Sequence, residues 1–326
     1  MQEEEKDLLL TTADAIYMVF NDSSLAPGDP KMLREAKASP DWLEWEKAIA
    51  AELKQLHEMG TWEMADAPCD RKPIVNKWVF LKKYNKEGIL MKVQGSSCGK
   101  GLLTNSWYGF QPNIQASCSS WNEMLWSIIA ETVQRGWKLH KMDVKGAYLN
   151  GLLKEEVYMA QPKGFDNGMS WVCWLIKTLY GLKQSGQEWN KQLNKKLTEK
   201  GFSRLVSDPC VYRHEINGEI EFVTVWVDDL MLFANGEEAM NRAKTDLQGM
   251  FEVADLGEPS KIVGIEITID PKTGDIKLTQ TKYIEELLRK YGLRALTQIE
   301  LPYQWIQTSS LNHQMVLATV AIATHH

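Results

Sequence analysis

Three aspartates carry the chemistry this sequence could perform. Asp143 closes the run Leu139-His-Lys-Met-Asp143, and Asp228 and Asp229 interrupt Phe222-Val-Thr-Val-Trp-Val-Asp-Asp-Leu-Met-Leu-Phe233. Both runs are apolar and β-prone. Segments of that kind are normally buried, and an unpaired carboxylate is costly there. A divalent cation removes the cost. Two such strands that converge could hold a pair of Mg²⁺ ions about 3.5–4 Å apart, as in two-metal phosphoryl-transfer sites. The ion prefers hard oxygen donors and keeps several waters, which suits carboxylates. Each motif alone has a plainer reading: an aspartate in a strand is commonly an edge or capped residue, and an Asp-Asp pair is commonly only a turn.

The elements that must position these residues follow from pattern. Ser39-Pro40-Asp41 reads as a helix start, with Ser39 as N-cap and Pro40 at the first position. Trp42, Trp45, Ile49, Leu53 and Leu56 then share one helical face, and Gly60 ends the helix. Residues 74–83 read as a strand, Lys86-Glu-Gly88 as a turn, and 122–135 as a helix. Strand 137–143 carries Asp143. Helix 186–200 follows, with Trp189, Leu193 and Leu197 inward and Gly201 as its stop. Strands 209–213 and 220–227 flank an Asn217-Gly218 hairpin turn. Asp228-Asp229 then sit at a tight reversal before 230–233. Helix 236–251, strand 261–269, a turn at 272–274, strand 276–280 and helix 281–291 complete the body. The order predicts an α+β fold with antiparallel hairpins rather than a doubly wound parallel sheet.

Composition narrows the class. The chain has 326 residues, 44% of them apolar, enough for a sizeable core in one large domain or a few subdomains. No apolar run reaches the roughly 18 residues of a membrane span. The start, Met-Gln-Glu-Glu-Glu-Lys, is acidic and unlike a signal peptide. These features predict no membrane partner and an intracellular, cytoplasmic protein. The five cysteines show no C-x-x-C spacing, so free buried thiols are expected rather than zinc or disulfides. Net charge is −6, but its distribution is uneven. Residues 1–70 hold 16 acids and 6 bases, whereas residues 71–100 hold 8 bases and 1 acid. The basic stretch, with Lys72, Lys77, Lys82 and Lys83, is a candidate phosphate-contacting surface; a solvated hairpin face is the alternative.

Order and spacing add what the single motifs lack. Between the aspartates lies Leu179-Tyr-Gly-Leu-Lys-Gln184-Ser-Gly-Gln-Glu-Trp189. Ahead of Asp143 lie Gly60-Thr-Trp62 and Lys77-Trp-Val-Phe80; behind the pair come Phe251-Glu-Val-Ala-Asp-Leu-Gly257 and Val263-Gly-Ile-Glu-Ile267. Together these resemble the reverse transcriptase of Ty1/copia-type LTR retrotransposons, from about Asp41 to Pro302. The resemblance implies a right-hand polymerase of fingers, palm and thumb that copies an RNA/DNA primer–template with dNTPs. It implies catalytic roles for Asp143, Asp228 and Asp229, with Asp143 and Asp228 binding two Mg²⁺ ions (Mn²⁺ as an alternative). Tyr148 would stack under the sugar and exclude a ribose 2′-hydroxyl, or else be a core ring. Lys183 and Gln184 would lie at the nucleotide site; a surface charge and a helix-start hydrogen bond are their plainer readings. Trp226 stands where the family has tyrosine, near the expected primer end.

One segment departs from the family. Where its fingers read roughly Lys-Ala-Arg-Leu-Val-Ala-Lys-Gly, this chain begins Gln94-Gly-Ser-Ser-Cys-Gly-Lys-Gly101 and stays rich in Gly, Ser and Asn. Codons compatible with this text, read from their second base, permit the family residues over some twenty positions. Two compensating frame changes, near Val93 and Ser120, are therefore expected, and the gene's nucleotide sequence across codons 90–125 decides the matter. The lost segment carries basic residues that grip the triphosphate, so weak or absent polymerisation is expected. The tail, Gln314 to Thr324, resembles the start of the family's next segment. A fragment of a decayed element is expected: leader 1–38, fingers 39–136 with 94–121 aberrant, palm 137–256, thumb 257–300 and a truncated tail 301–326.

Overall fold

The computed structural model describes residues 30–84, 90–99, 121–165, 170–262, 265–270 and 274–290. The chain divides into two compact units: Met1–Ser117 with Gly146–Lys196, and Cys118–Lys145 with Leu197–His326. The stretch expected as one palm therefore contributes to both.

In the first unit, helix α1 spans Leu33–Ala38 and helix α2 spans Trp42–Glu58. Residues 33–38 fall inside the expected leader, yet Ala36 is fully buried with Trp45, Ile49, Trp78 and Phe80. Trp45 meets Phe80 edge-on, centroids 5.3 Å apart, an arrangement worth about 0.5–1.5 kcal/mol beyond area burial. Helix α2 starts later than Ser39-Pro40 predicts. The Ser39 hydroxyl donates instead to the Ala36 carbonyl at 2.8 Å, closing α1 rather than opening α2. Asp41 occupies the N-cap position without a side-chain cap bond. The predicted inward face holds: Trp45, Ile49 and Leu56 are buried.

Strands β1 (Trp62–Asp66), β2 (Asn76–Tyr84) and β3 (Leu90–Gly99) follow. Strands β2 and β3 pair antiparallel from Asn76↔Gly99 to Tyr84↔Leu90. This corrects the expectation of no regular structure from residue 94 onward. Positions 94–99 are strand because ladder hydrogen bonds come from the backbone, and a Val/Trp/Phe-rich partner can template a Gly/Ser-rich one. Residues 85–89, including the expected turn, and 100–120 lie outside the described residues. A short 3₁₀ turn (Ala147–Asn150) leads to β5 (Leu152–Met159) and β6 (Trp171–Lys177). The sheet β1-β6-β5 was not legible as such in the sequence. A helix over Ser185–Glu199, α4 in chain order, ends this part of the chain.

In the second unit, helix α3 (Trp121–Arg135) feeds β4 (Lys138–Val144). Strands β7 (Ser203–Arg204), β8 (Val211–Ile216), β9 (Glu219–Trp226) and β10 (Asp229–Ala234), helix α5 (Glu237–Met250) and strand β11 (Val253–Gly257) complete a six-stranded sheet, ordered β11-β4-β10-β9-β8-β7. Every neighbouring pair of strands in it is antiparallel. The Asn217-Gly218 turn forms as predicted, with φ of 53° and 85°, the left-handed values a two-residue type I′ hairpin demands. β10 lies mid-sheet, and Leu230 through Ala234 are all buried, which explains their unbroken apolar run. Helix α5 buries Ala239, Met240, Ala243 and Leu247. A small sheet of β12 (Lys261–Ile262), β13 (Ile265–Ile269) and β14 (Ile276–Thr279) precedes helix α6 (Thr281–Lys290). These are the mixed helices and antiparallel sheets of an α+β fold. Among the described residues no helix is long and apolar enough to cross a membrane. Among the described residues the expectation of free buried thiols holds at Cys173 and fails at Cys69, a free but exposed thiol, and at Cys210, which is disulfide-bonded against the expectation of no disulfide.

Candidate active site

The three aspartates come from two adjacent elements of the second unit. Asp143 is the penultimate residue of β4, and Asp229 opens β10. The register sets Asp229 directly opposite Asp143. On the other side of β10, Asp229 is opposite Trp226, and on the other side of β4, Asp143 is opposite Ala254. Cross-strand partners project from the same face, so Trp226, Asp229, Asp143 and Ala254 form one row across four strands. The alanine at its end offers only a methyl group. All three aspartates are half-buried.

Asp228 lies in the two-residue loop Val227-Asp228 between β9 and β10. Its carbonyl accepts the Val144 N–H at 2.7 Å, which ties the loop to the end of β4. Val227 has φ of 56°. A positive φ at the first residue of a two-residue hairpin loop normally belongs to glycine, and a β-branched residue there is strained. Strain of this kind persists only where the surrounding structure fixes it.

Lys141 is the residue that sequence reasoning missed. It lies two positions before Asp143 and so shares its face. Its ammonium pairs with Asp229 Oδ1 at 2.7 Å, with side chains 15% and 23% exposed. The signal was present in the quoted run Leu139-His-Lys-Met-Asp143: on a strand, i and i−2 project together. Among the described residues no three His, Cys, Asp or Glu side chains gather as a metal cage. The donor chemistry nonetheless fits a hard divalent cation. Two carboxylates directly opposite each other repel and attract positive charge between or beside them.

The opposite face of the sheet is also polar near this point. His140 on β4 has its pKa lowered, first by burial and then by the Lys244 ammonium. Lys244 of α5 pairs with Asp255 at 2.7 Å. Burial pushes the Asp255 carboxyl up, but Lys244 and the Gly257 N–H outweigh it and its pKa falls below the ordinary value. Farther along, Glu221 is fully buried; burial raises its pKa against the opposing pull of Arg242 and His214. Arg242 pairs with both Glu221 and Glu219, the latter at 2.5 Å.

The remaining candidates belong to the first unit. Tyr148 is buried, and its ring meets Tyr180 edge-on with centroids 4.6 Å apart. Its carbonyl accepts from the Thr178 hydroxyl and, at 2.9 Å, from the Gly151 N–H. A side chain at Gly151 would crowd Thr178 and the Trp189 backbone at about 3 Å, so glycine is what lets this turn close on the start of α4. Gln184 immediately precedes α4, and its carbonyl accepts the Glu188 N–H at 3.0 Å, the helix-start bond. Lys183 beside it is exposed. Lys72 and Lys77 are exposed, whereas Lys82 bonds Asp41 at 2.5 Å and lies 5.9 Å from the Trp45 ring centroid. The Lys83 side chain lies outside the described residues. A groove of about 390 Å³ occupies another part of the second unit, walled by Trp137 and Phe222, and is not lined by the aspartates.

A family model described as reverse transcriptase (RNA-dependent DNA polymerase) matches residues 59–304. The chain belongs to that family. Its relatives make it a copia-type reverse transcriptase domain. It is 28% identical over 290 residues to the retrovirus-related Pol polyprotein from transposon TNT 1-94 of Nicotiana tabacum, covering 88% of this chain and 21% of the relative. It is 30% identical over 261 residues to the corresponding polyprotein from transposon RE1 of Arabidopsis thaliana, covering 79% and 18%. The chain thus spans about a fifth of the length of the curated relatives it matches. A solved structure of apo telomerase from Candida Tropicalis, truncated from the C-terminal domain, is similar over 72% of this chain and 60% of its own, at 11% identity and a TM-score of 0.38. Reverse transcriptases of this family use divalent metal ions, which accords with the donor chemistry of the carboxylate row.

Proposed function

We propose that this reverse transcriptase domain is built for RNA-directed DNA synthesis at Asp143, Asp228 and Asp229. The observation that carries the reading is the direct opposition of Asp143 and Asp229 across β4 and β10, with Asp228 in the connecting loop. Asp143 and Asp228 would hold Mg²⁺, with Asp229 beside them. When bound, two such ions lower the pKa of a primer 3′-hydroxyl and stabilise the leaving pyrophosphate. The residues of this chain position the rest. Tyr148, packed against Tyr180, supplies a ring rigid enough to test the sugar. Lys183 and Gln184, at the start of α4, contact nucleotide. Lys72 and Lys77 offer exposed charge to the primer–template backbone, and Trp226 borders the primer end. Lys82 serves the same surface more weakly, because Asp41 holds it. In this reading residues 39–136 are fingers, 137–256 palm and 257–300 thumb.

A second reading, a catalytically silent nucleic-acid binder, is favoured by one observation. Positions 94–99 of β3 read Gln-Gly-Ser-Ser-Cys-Gly, with no basic residue among them. Without the basic residues the family carries there, the grip on the triphosphate is weak. Primer extension on poly(rA)/oligo(dT) with Mg²⁺ separates the two. Extension that Asp143→Asn abolishes supports synthesis. No extension, with salt-sensitive binding of the primer–template, supports the silent binder, because phosphate contacts weaken steeply with salt. Neither extension nor binding overturns both.

A further inference from the structure

We propose that Lys141 is a built-in counter-ion of the carboxylate row: it holds Asp229 out of metal ligation and opposes cation binding at Asp143 and Asp228. This rests on the carboxylate site proposed above and adds a residue to it. Three observations converge. Lys141 lies on the same strand face as Asp143, two residues away. Its ammonium is 2.7 Å from Asp229 Oδ1. Both side chains are largely withdrawn from solvent, at 15% and 23% exposure, so the pair is screened less than a surface ion pair.

The physical logic is charge balance. Asp143 and Asp229 are set directly opposite each other, and like charges in that relation are destabilising. Lys141 cancels one of them. The protein can therefore fold with the row intact before any metal arrives. The same ammonium then repels an incoming divalent cation. It also occupies a lone pair that Asp229 would otherwise offer, leaving Asp143 and Asp228 as the ligands. Lys141 is accordingly a positioning residue, acting through Asp229.

Mn²⁺ alone is the probe, titrated into the full chain with free aqua ion counted by electron paramagnetic resonance. Thermal melting in EDTA and in Mn²⁺ runs beside it. Lys141→Gln should bind Mn²⁺ roughly tenfold more tightly than wild type, since removing a nearby positive charge in a partly buried site has an effect of that order. It should melt lower than wild type in EDTA and recover with Mn²⁺. Lys141→Arg, which keeps the charge, should behave as wild type. Asp229→Asn should retain binding, a few-fold weakened by the freed ammonium, whereas Asp143→Asn should lose it. Equal or weaker Mn²⁺ affinity in Lys141→Gln overturns the inference. So does loss of binding in Asp229→Asn to the extent seen in Asp143→Asn, which also covers the case where Lys141→Gln fails to fold. If wild type binds no Mn²⁺, or Asp143→Asn binds as wild type does, the metal-site reading itself falls and the inference with it.

Discussion

Asp143 and Asp229 face each other across two adjacent interior strands of the second unit's sheet, one at the end of β4 and one at the start of β10. An arrangement that places like charges in register lowers stability unless a cation is at hand. Proteins keep such arrangements where they serve a site.

The Lys141 ammonium offsets that repulsion only in part, since it answers two carboxylates with one charge. Asp143→Asn is therefore expected to gain a modest amount, about 0.2–1 kcal/mol, in urea unfolding in EDTA. The same variant should lose the rise in melting temperature that Mg²⁺ gives the wild type. A variant that loses stability in EDTA would show that Asp143 is satisfied by its surroundings rather than opposed by Asp229.

The loop beside the row stores strain. Val227 at φ of 56° is a β-branched residue in a conformation suited to glycine. Val227→Gly relieves that strain but adds freedom to the unfolded chain, about 0.4–1 kcal/mol in the other direction. The expected net gain is about 0.5–1 kcal/mol by chemical denaturation. An equal or larger loss would mean that the valine side chain packs well enough to outweigh its backbone.

A buried charge network braces the back of the sheet. Glu221 is fully buried, Arg242 pairs with it and with Glu219, and His214 Nδ1 lies 3.2 Å from Glu221 Oε2. Arg242→Met leaves the buried Glu221 carboxylate with the His214 ring but without its arginine, and should cost up to about 3–5 kcal/mol. The double variant Glu221→Gln, Arg242→Met should cost less than Arg242→Met alone. Additive losses in that cycle would count against the coupling.

His140 makes stability depend on pH with a definite sign. Burial first and the Lys244 ammonium second lower its folded-state pKa below the ordinary 6.5, against the opposing pull of Asp255, Glu258 and Glu237. As pH falls below about 6.5 the unfolded chain binds this proton first, so stability declines from there down through the folded pKa. Above that window the contribution is constant. Glu221 acts in the opposite sense, since its raised pKa makes stability fall as pH rises from its ordinary 4.5 through the folded value. The wild-type curve sums both, so the difference between wild type and His140→Gln isolates the histidine. That difference should change as pH falls below about 6.5 and be flat above; a flat difference throughout removes the assignment.

The sequence carried the family, the α+β class and most of the elements that hold the aspartates. Trp45, Ile49 and Leu56 marked the buried face of α2, and Asn217-Gly218 marked a hairpin, because each signal depends on neighbours three or four residues apart, or adjacent. The motif order from Gly60 to Gly257 carried the reverse transcriptase assignment. Sequence did not yield the β1-β6-β5 sheet, whose strands are joined by long stretches of chain, nor the true role of Ser39, whose hydroxyl reaches back to α1. It misjudged positions 94–99, since a glycine- and serine-rich strand advertises nothing until a partner supplies the ladder. Above all it could name three carboxylates but not their register. That Asp229 stands opposite Asp143, and that Lys141 reaches Asp229, follows from how β4 and β10 pair, with Asp143 and Asp229 86 positions apart in the chain. Register is a property of two strands at once, fixed by burial on both faces and by the turn between β9 and β10, so only the tertiary structure could decide it.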